Sequence, residues 1–179
     1  MSALRQWLTP LLLLFSTTPG AEALRDPDSA FFHQTLGDFR EELEIAREEG
    51  KNGVLLFFEM DECPFCARMK RDVLNRPQVQ DYYREHFRII PVDVEGDVEI
   101  VDFQGQSMAE KNFAFQANRV RATPVFLFYT LDGEQVARYT GATSGIDEFL
   151  WLGEYVVQGV YRDMPFTKYK RVRRQQAGQ

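Results

Sequence analysis

Gly53-Val54-Leu55-Leu56-Phe57-Phe58-Glu59, followed after a short acidic link by Cys63-Pro64-Phe65-Cys66, is the stretch that decides the architecture of this chain. Its first part is a continuous apolar run, the pattern of a strand covered on both faces. In the second part Cys63 falls at a helix N-cap and Pro64 at the first helical position, where a missing N–H and a fixed φ cost least. Cys66, Met69 and Val73 then share one face of the predicted helix and Lys70 and Arg71 the other, until Asn75-Arg76-Pro77 bends or breaks it and residues 78–87 continue it. A cysteine at a helix start lies beside unpaired N–H groups and the positive end of the helix dipole, which favour the thiolate. Cys63, exposed at that start, is the candidate nucleophile. Cys66, one turn in and facing the core, is the candidate resolving thiol that attacks a mixed disulfide on Cys63.

Outward from this junction the chain alternates helices and strands. Asp38-Phe39-Arg40-Glu41 has the form of a capping box, with Leu36, Phe39, Leu43 and Ala46 at helical spacing up to a stop at Gly50. Phe87 to Val94 reads as a strand, and Pro91, which cannot donate to a ladder, places it at a sheet edge. Ser107-Met108-Ala109-Glu110 reads as a second capping box opening a helix through Asn118. After Thr123-Pro124, Val125 to Tyr129 is a buried strand joined through Asp132-Gly133 to Val136–Tyr139 as a hairpin. Ile146 to Tyr161 closes the domain as a helix. With short connections and right-handed crossovers, this order predicts an α/β fold: a mixed central sheet of about four strands with helices on both faces.

The ends of the chain read differently. Residues 1–23 combine a positive start at Met1 to Arg5, an apolar run from Trp7 to Phe15 and small residues around Ala21-Glu22-Ala23, the pattern of a cleaved export leader, with the mature protein beginning near Leu24. That run is shorter than the roughly 20 apolar residues of a spanning helix, so the processed chain is expected not to be membrane-inserted. The formal net charge is −6, and its distribution is uneven. From residue 161 onward six basic residues face only Asp163, a net of +5, and the leader carries one charge of each sign, which leaves residues 24–160 at −11. An acidic body argues against nucleic acid as a partner. The basic tail, residues 162–179, lacks apolar periodicity and is expected to be irregular, so the domain proper spans 24–161.

The chain has only two cysteines, three residues apart. Structural disulfides gain most from long loops, so in an exported protein this pair points to chemistry rather than to a staple. Zinc is the main rival for a C-x-x-C pair. A closed site needs four ligands, however, and His33 and His86 are remote in sequence and expected at the surface. The acidic stretch from Asp93 to Glu99 lacks the spacing of a calcium loop and is expected to be a solvated edge. Phe113, Phe115 and Tyr129 are expected in or near the core.

These motifs resemble the thioredoxin superfamily, in particular its exported members, including the periplasmic thioredoxins associated with sulfur oxidation. The resemblance spans most of residues 39–161 and rests on the strand ending in Phe57-Phe58-Glu59, on Cys63-Pro64-Phe65-Cys66, and on Val120-Arg121-Ala122-Thr123-Pro124 before another buried strand. It implies a thioredoxin-like fold and a cis Pro124 against the dithiol. It also implies that Thr123 offers backbone hydrogen bonds to an extended substrate, with Pro64 and Phe65 completing the contact surface. Two features depart from the family pattern. Phe57 stands where thioredoxins carry a buried aspartate that assists proton transfer, which leaves Glu59 as the candidate to assist, with Asp61 and Glu62 nearby. Pro-Phe also replaces Gly-Pro between the cysteines, which leaves the redox poise open.

The function expected is therefore a periplasmic thiol-disulfide oxidoreductase that reduces disulfide-containing proteins as a monomer. It has no bound cofactor or metal, and its electrons come from a separate, membrane-embedded protein donor. Disulfide isomerase or oxidase activity is the enzymatic alternative. A non-catalytic thioredoxin-like binding or chaperone module is the alternative from another class.

Overall fold

In the computed structural model, which describes residues 23–178, the chain opens with a one-turn helix α1 (Pro27–Ala30) capped by the Asp26 side chain. Ahead of Ala23, the expected leader lies outside the described residues. Phe31 and Phe32 follow α1 and are buried at 0% and 4% exposure, an N-terminal contribution to the core that the sequence reading did not identify. Asp38 then caps α2 (Phe39–Glu48), its carboxylate accepting the N–H groups of Arg40 and Glu41. Leu36, placed by periodicity on the apolar face of that helix, lies ahead of it and is 94% exposed.

β1 (Gly53–Glu59) is the spine of the molecule, buried along nearly its whole length. Gly53 begins it because any side chain there would collide with the Tyr129 carbonyl oxygen, 2.0 Å from where a Cβ would sit. α3 (Pro64–Met69) follows, continues as a π-helical turn over Lys70–Leu74, and gives way to α4 (Pro77–His86) with Pro77 at its first position. β2 (Phe87–Asp93) pairs in parallel with β1 and forms the edge that Pro91 requires. On the other side of β1 lie β5 (Val125–Thr130) and β6 (Gln135–Thr140), both antiparallel to their neighbours, in the order β2-β1-β5-β6. This is the expected mixed four-stranded sheet.

Between the edge strand and β5, Glu99–Val101 (β3) and Ser107–Ala109 (β4) pair as a separate antiparallel ribbon. The predicted capping box at Ser107 is therefore wrong. Ser107 is a strand residue opposite Val101, and α5 (Glu110–Asn112) begins three residues later, continuing as a π-helical turn over Phe113–Ala117. The Asp102 carboxylate accepts the N–H groups of Gln104 and Gln106, both at 2.8 Å, and Gly105 takes φ of +83°, so a tight turn competes successfully with helix initiation.

Alternation along β1 splits the core into two layers. Leu55 and Phe57 face α3, α4 and α6 (Ile146–Val157), in a cluster that also contains Cys63, Cys66 and Met69. Val54, Leu56 and Phe58 face α2 and the 113–117 turn. The expectation of an irregular tail is also corrected. Phe166–Ala177 forms α7, held by a buried Tyr169 that packs with Phe166 against Tyr155 of α6. Phe166, Tyr169 and Val172 stand three residues apart, but three apolar positions among many cations are too weak a period to signal a helix from sequence. His33 is likewise not a surface residue. It is partly buried along the open edge of β2, where its N–H donates to the Ile89 carbonyl at 2.8 Å and its Nδ1 accepts the Ile89 N–H at 2.9 Å.

Candidate functional site

The parallel strands β1 and β2 end side by side, with Glu59 opposite Asp93, and the chain turns from Glu59 through Met60, Asp61 and Glu62 into α3. That places the cysteines over the carboxyl ends of the strands, where crevices form in α/β sheets. Cys63 is the N-cap of α3 in extended conformation, and its Sγ accepts the Cys66 N–H at 3.0 Å. Cys63 and Cys66 are joined as a disulfide, with S–S 2.16 Å. Both residues are largely enclosed, at 6% and 2% exposure, so position on the helix rather than exposure distinguishes them. Phe65, between them, is 57% exposed, and Pro64 is exposed beside it.

A cavity of about 350 Å³ opens against the dithiol, lined by Cys63, Cys66, Glu59, Asp61, Lys70, Asp93 and Glu110 among others. Glu62 is exposed outside it. Phe57, at the position of the family's buried acid, packs at 0% exposure against Phe32 and Phe126. Glu59 lies two residues further along the same face of β1, at the cavity wall.

Lys70 is the residue the sequence reading misplaced. It is four residues after Cys66, so a helix stacks it on the same side, and it enters the dithiol cavity rather than the opposite face. Its Nζ donates to Glu59 at 2.9 Å and to Asp28 at 3.0 Å, which ties α1 to the site. Burial pushes the Glu59 carboxyl above the ordinary carboxylate range, and the Lys70 ammonium only partly offsets this. Burial also works against the Lys70 charge, but its bonds to Glu59 and Asp28 outweigh that and leave its pKa raised. Glu110, which also lines the cavity, is raised by burial as well.

The Thr123-Pro124 peptide is cis, with Pro124 buried at the start of β5 and its carbonyl accepting the Gly141 N–H at 2.8 Å. Thr123 lines a second, more apolar cavity of about 250 Å³ together with Met60, Val120 and Phe115. Met60 lines both cavities, so the dithiol cavity and the Thr123 surface are neighbours across one side chain. Phe115, expected in or near the core, is instead 56% exposed, with the Arg121 guanidinium 3.4 Å above its ring. Among the described residues no group of His, Cys, Asp and Glu is arranged to hold a metal ion, and no helix is long and apolar enough to cross a membrane.

The chain is similar to several solved structures. A thioredoxin-fold protein from Helicobacter pylori is 23% identical over 70% of this chain and 86% of its own, with a TM-score of 0.58. A thioredoxin from Thermus thermophilus is 25% identical over 72% and 88%, with a TM-score of 0.55. A putative disulphide-isomerase from Bacteroides thetaiotaomicron is 25% identical over 76% and 97%, with a TM-score of 0.57. No curated protein matches the sequence. The thioredoxin-like domain model matches residues 39–157, from the first residue of α2 to the last of α6, a span that contains the dithiol, Glu59, Lys70 and the cis-proline loop. By that match, which covers more than half of its residues, the chain belongs to the thioredoxin-like domain family.

Proposed function

We propose that this protein is a thiol-disulfide oxidoreductase that reduces disulfides in other proteins through Cys63 and Cys66. The observation that carries the reading is the Cys63 Sγ at the start of α3, bonded to the Cys66 N–H and open to a cavity that also holds a partly buried carboxylate.

In the reduced protein the Cys63 thiolate, stabilised by that N–H and by the helix start, attacks one sulfur of a substrate disulfide. The Cys63–substrate bond forms, the substrate S–S bond breaks, and one substrate thiolate leaves. Cys66 then loses its proton and attacks Cys63 Sγ, which breaks the mixed disulfide and releases the second substrate thiolate. Two electrons have passed to the substrate, and the Cys63–Cys66 disulfide remains. Glu59 is the base assigned to the Cys66 proton. Its raised pKa brings it nearer the thiol's own range than an ordinary carboxylate, and Lys70 keeps enough of it ionised to accept. Thr123 and Pro124 offer the backbone surface for the substrate segment, and Pro64 and the exposed Phe65 flank it.

Regeneration needs two electrons from a separate protein, for which a membrane-embedded donor is the proposed source. The periplasm is the proposed compartment, on the strength of the leader-like residues 1–23. Turbidity from insulin reduction, driven by dithiothreitol, tests the activity: the parent should accelerate it and Cys63→Ser should not. A parent no faster than dithiothreitol alone would remove the reading. The reduction potential sets the direction, since a value of about −270 mV matches a thioredoxin-like reductant and one of about −120 mV an oxidant.

A further inference from the structure

Glu148, in the first turn of α6, carries a carboxylate whose side chain is only 2% exposed. Its partners come from the edge strand β6, from the loop ahead of α6 and from α7. Tyr139 Oη donates to Oε1 at 2.9 Å and the Ser144 hydroxyl donates to Oε2, with the Ser144 N–H at 3.4 Å. The remaining donors come from α7: Lys170 Nζ at 2.6 Å and Arg174 Nη2 at 2.9 Å, the latter also 3.2 Å from Ser144 Oγ. α7 lies beyond the residues matched by the family model, so two of the donors that neutralise this carboxylate are additions to the shared domain.

The segment Gly141–Gly145 that Glu148 holds through Ser144 reaches the site in two places. The Gly141 N–H donates to the Pro124 carbonyl at 2.8 Å, next to Thr123. Thr143, 1% exposed, donates to the Gly145 carbonyl at 3.0 Å and sets its hydroxyl 3.6 Å from Met69 Sδ, one turn beyond Cys66 on α3. Five residues thus run from the cis-proline loop past the dithiol helix to the buried carboxylate. No side chain caps α6, whose N-cap is Gly145, and at Ser144 the segment is held to the start of the helix by Glu148.

We propose that α7 is a clamp on the substrate-docking rim. By pairing with Glu148, Lys170 and Arg174 fix Gly141–Gly145 and with it the Thr123-Pro124 loop, which makes Glu148, Lys170 and Arg174 positioning residues for exchange at Cys63. The proposal rests on the oxidoreductase reading. The clamp bears on the loop where substrate backbone docks, whereas the Cys63 Sγ to Cys66 N–H bond lies within α3 and has no partner in α7. Loosening the clamp therefore weakens protein-substrate binding and spares thiol reactivity.

The test measures insulin reduction over a range of insulin concentrations, beside the alkylation rate of reduced Cys63 by iodoacetamide, which is too small to use the rim. Glu148→Gln removes the charge while keeping the shape. Arg174→Gln acts at a side chain 53% exposed, where the fold tolerates change, and Lys170→Arg keeps the cation. The expected result is a KM for insulin raised about fivefold in Glu148→Gln and at least about twofold in Arg174→Gln, on the order of 1 kcal/mol or less of binding. Lys170→Arg should behave as the parent, and Cys63 alkylation should stay within about a factor of two throughout. An unchanged KM in folded Arg174→Gln and Glu148→Gln would overturn the clamp, as would a KM rise matched by an equal fall in alkylation, which marks general loosening. A parent that alkylates at Cys63 but reduces no insulin would sink the oxidoreductase reading itself. An active parent with unaltered variants would sink the clamp alone.

Discussion

Cys63 and Cys66 differ in what their backbone positions offer: Cys63 Sγ is an acceptor at a helix start, and Cys66 is the residue whose N–H it accepts. In the reduced protein Cys63 should alkylate first with iodoacetamide near neutral pH, and Cys66→Ala should accumulate mixed disulfides on Cys63, because the resolving attack is gone. Peptide mapping that finds Cys66 modified first reverses the assignment. Glu59 adds a pH signature. A carboxylate accepts the Cys66 proton only when ionised, so resolution should slow as pH falls through the Glu59 pKa, which burial holds above the ordinary range. Glu59→Gln should remove that acid limb and lower the resolution rate by about tenfold, and Lys70→Met should move the limb to higher pH, because loss of the cation raises the carboxyl further. Stopped-flow decay of a mixed disulfide across pH 4 to 8 reads this directly. An acid limb that persists unchanged in Glu59→Gln would assign the proton to another group, of which Glu110 in the same cavity is the first to examine.

At the scale of elements, the open edge of β2 is covered by one histidine. The Ile89 N–H donates to Nδ1 of His33, a bond that only the unprotonated nitrogen accepts, and burial together with Arg84, Arg88 and Lys51 lowers the His33 pKa to about 3 from 6.5. Between these values the unfolded chain binds a proton that the folded one refuses, so this contribution to stability is full above pH 6.5 and falls as pH drops toward 3. His33→Ala should cost about 1–2 kcal/mol at pH 7 and flatten the urea midpoint against pH in that window; an undiminished slope would place the titration elsewhere. Nothing in the sequence marked this role, because a cap on a sheet edge from 56 residues away is a tertiary relation. What was legible was local. A buried strand leaves a continuous apolar run, a helix start leaves Cys-Pro, and an edge leaves Pro91 within a strand. The β3–β4 ribbon was missed because Ser107-x-x-Glu110 fits a capping box on sequence alone, and the deciding feature, Asp102 accepting two N–H groups, is a turn five residues earlier. Lys70, expected on the helix face opposite Cys66, is four residues after it and therefore stacks on the same side, at the cavity.

Over the whole molecule, the uneven charge seen in the sequence acquires a structural meaning: the basic end of the chain folds back onto an acidic body, and two of its cations meet a carboxylate whose side chain is only 2% exposed. Burial would raise the Glu148 pKa, but the bonds from Lys170, Ser144 and Tyr139 overcome it and hold the group at about 2, below its usual 4.5. A depressed carboxyl stabilises the fold above its unfolded pKa, so this contribution is present above pH 4.5 and is lost as pH falls toward 2. Truncation after Asp163 removes Lys170 and Arg174 together with the packing of Phe166 and Tyr169 on Tyr155. A buried charge stripped of its partners costs about 3–5 kcal/mol, which for a chain of this size lowers the melting temperature by roughly 6–20 °C. Packing alone would also lower it, so the discriminating measurement is a double-mutant cycle with Glu148→Gln. In the full chain Glu148→Gln should destabilise, because it breaks the ion pairs. In the truncated chain the same substitution should stabilise, because it removes an uncompensated charge and leaves Tyr139 and Ser144 to bond the amide oxygen. Equal losses in both backgrounds would mean that Lys170 and Arg174 do not neutralise Glu148 and that α7 docks through its aromatic residues and the Arg173–Glu154 pair.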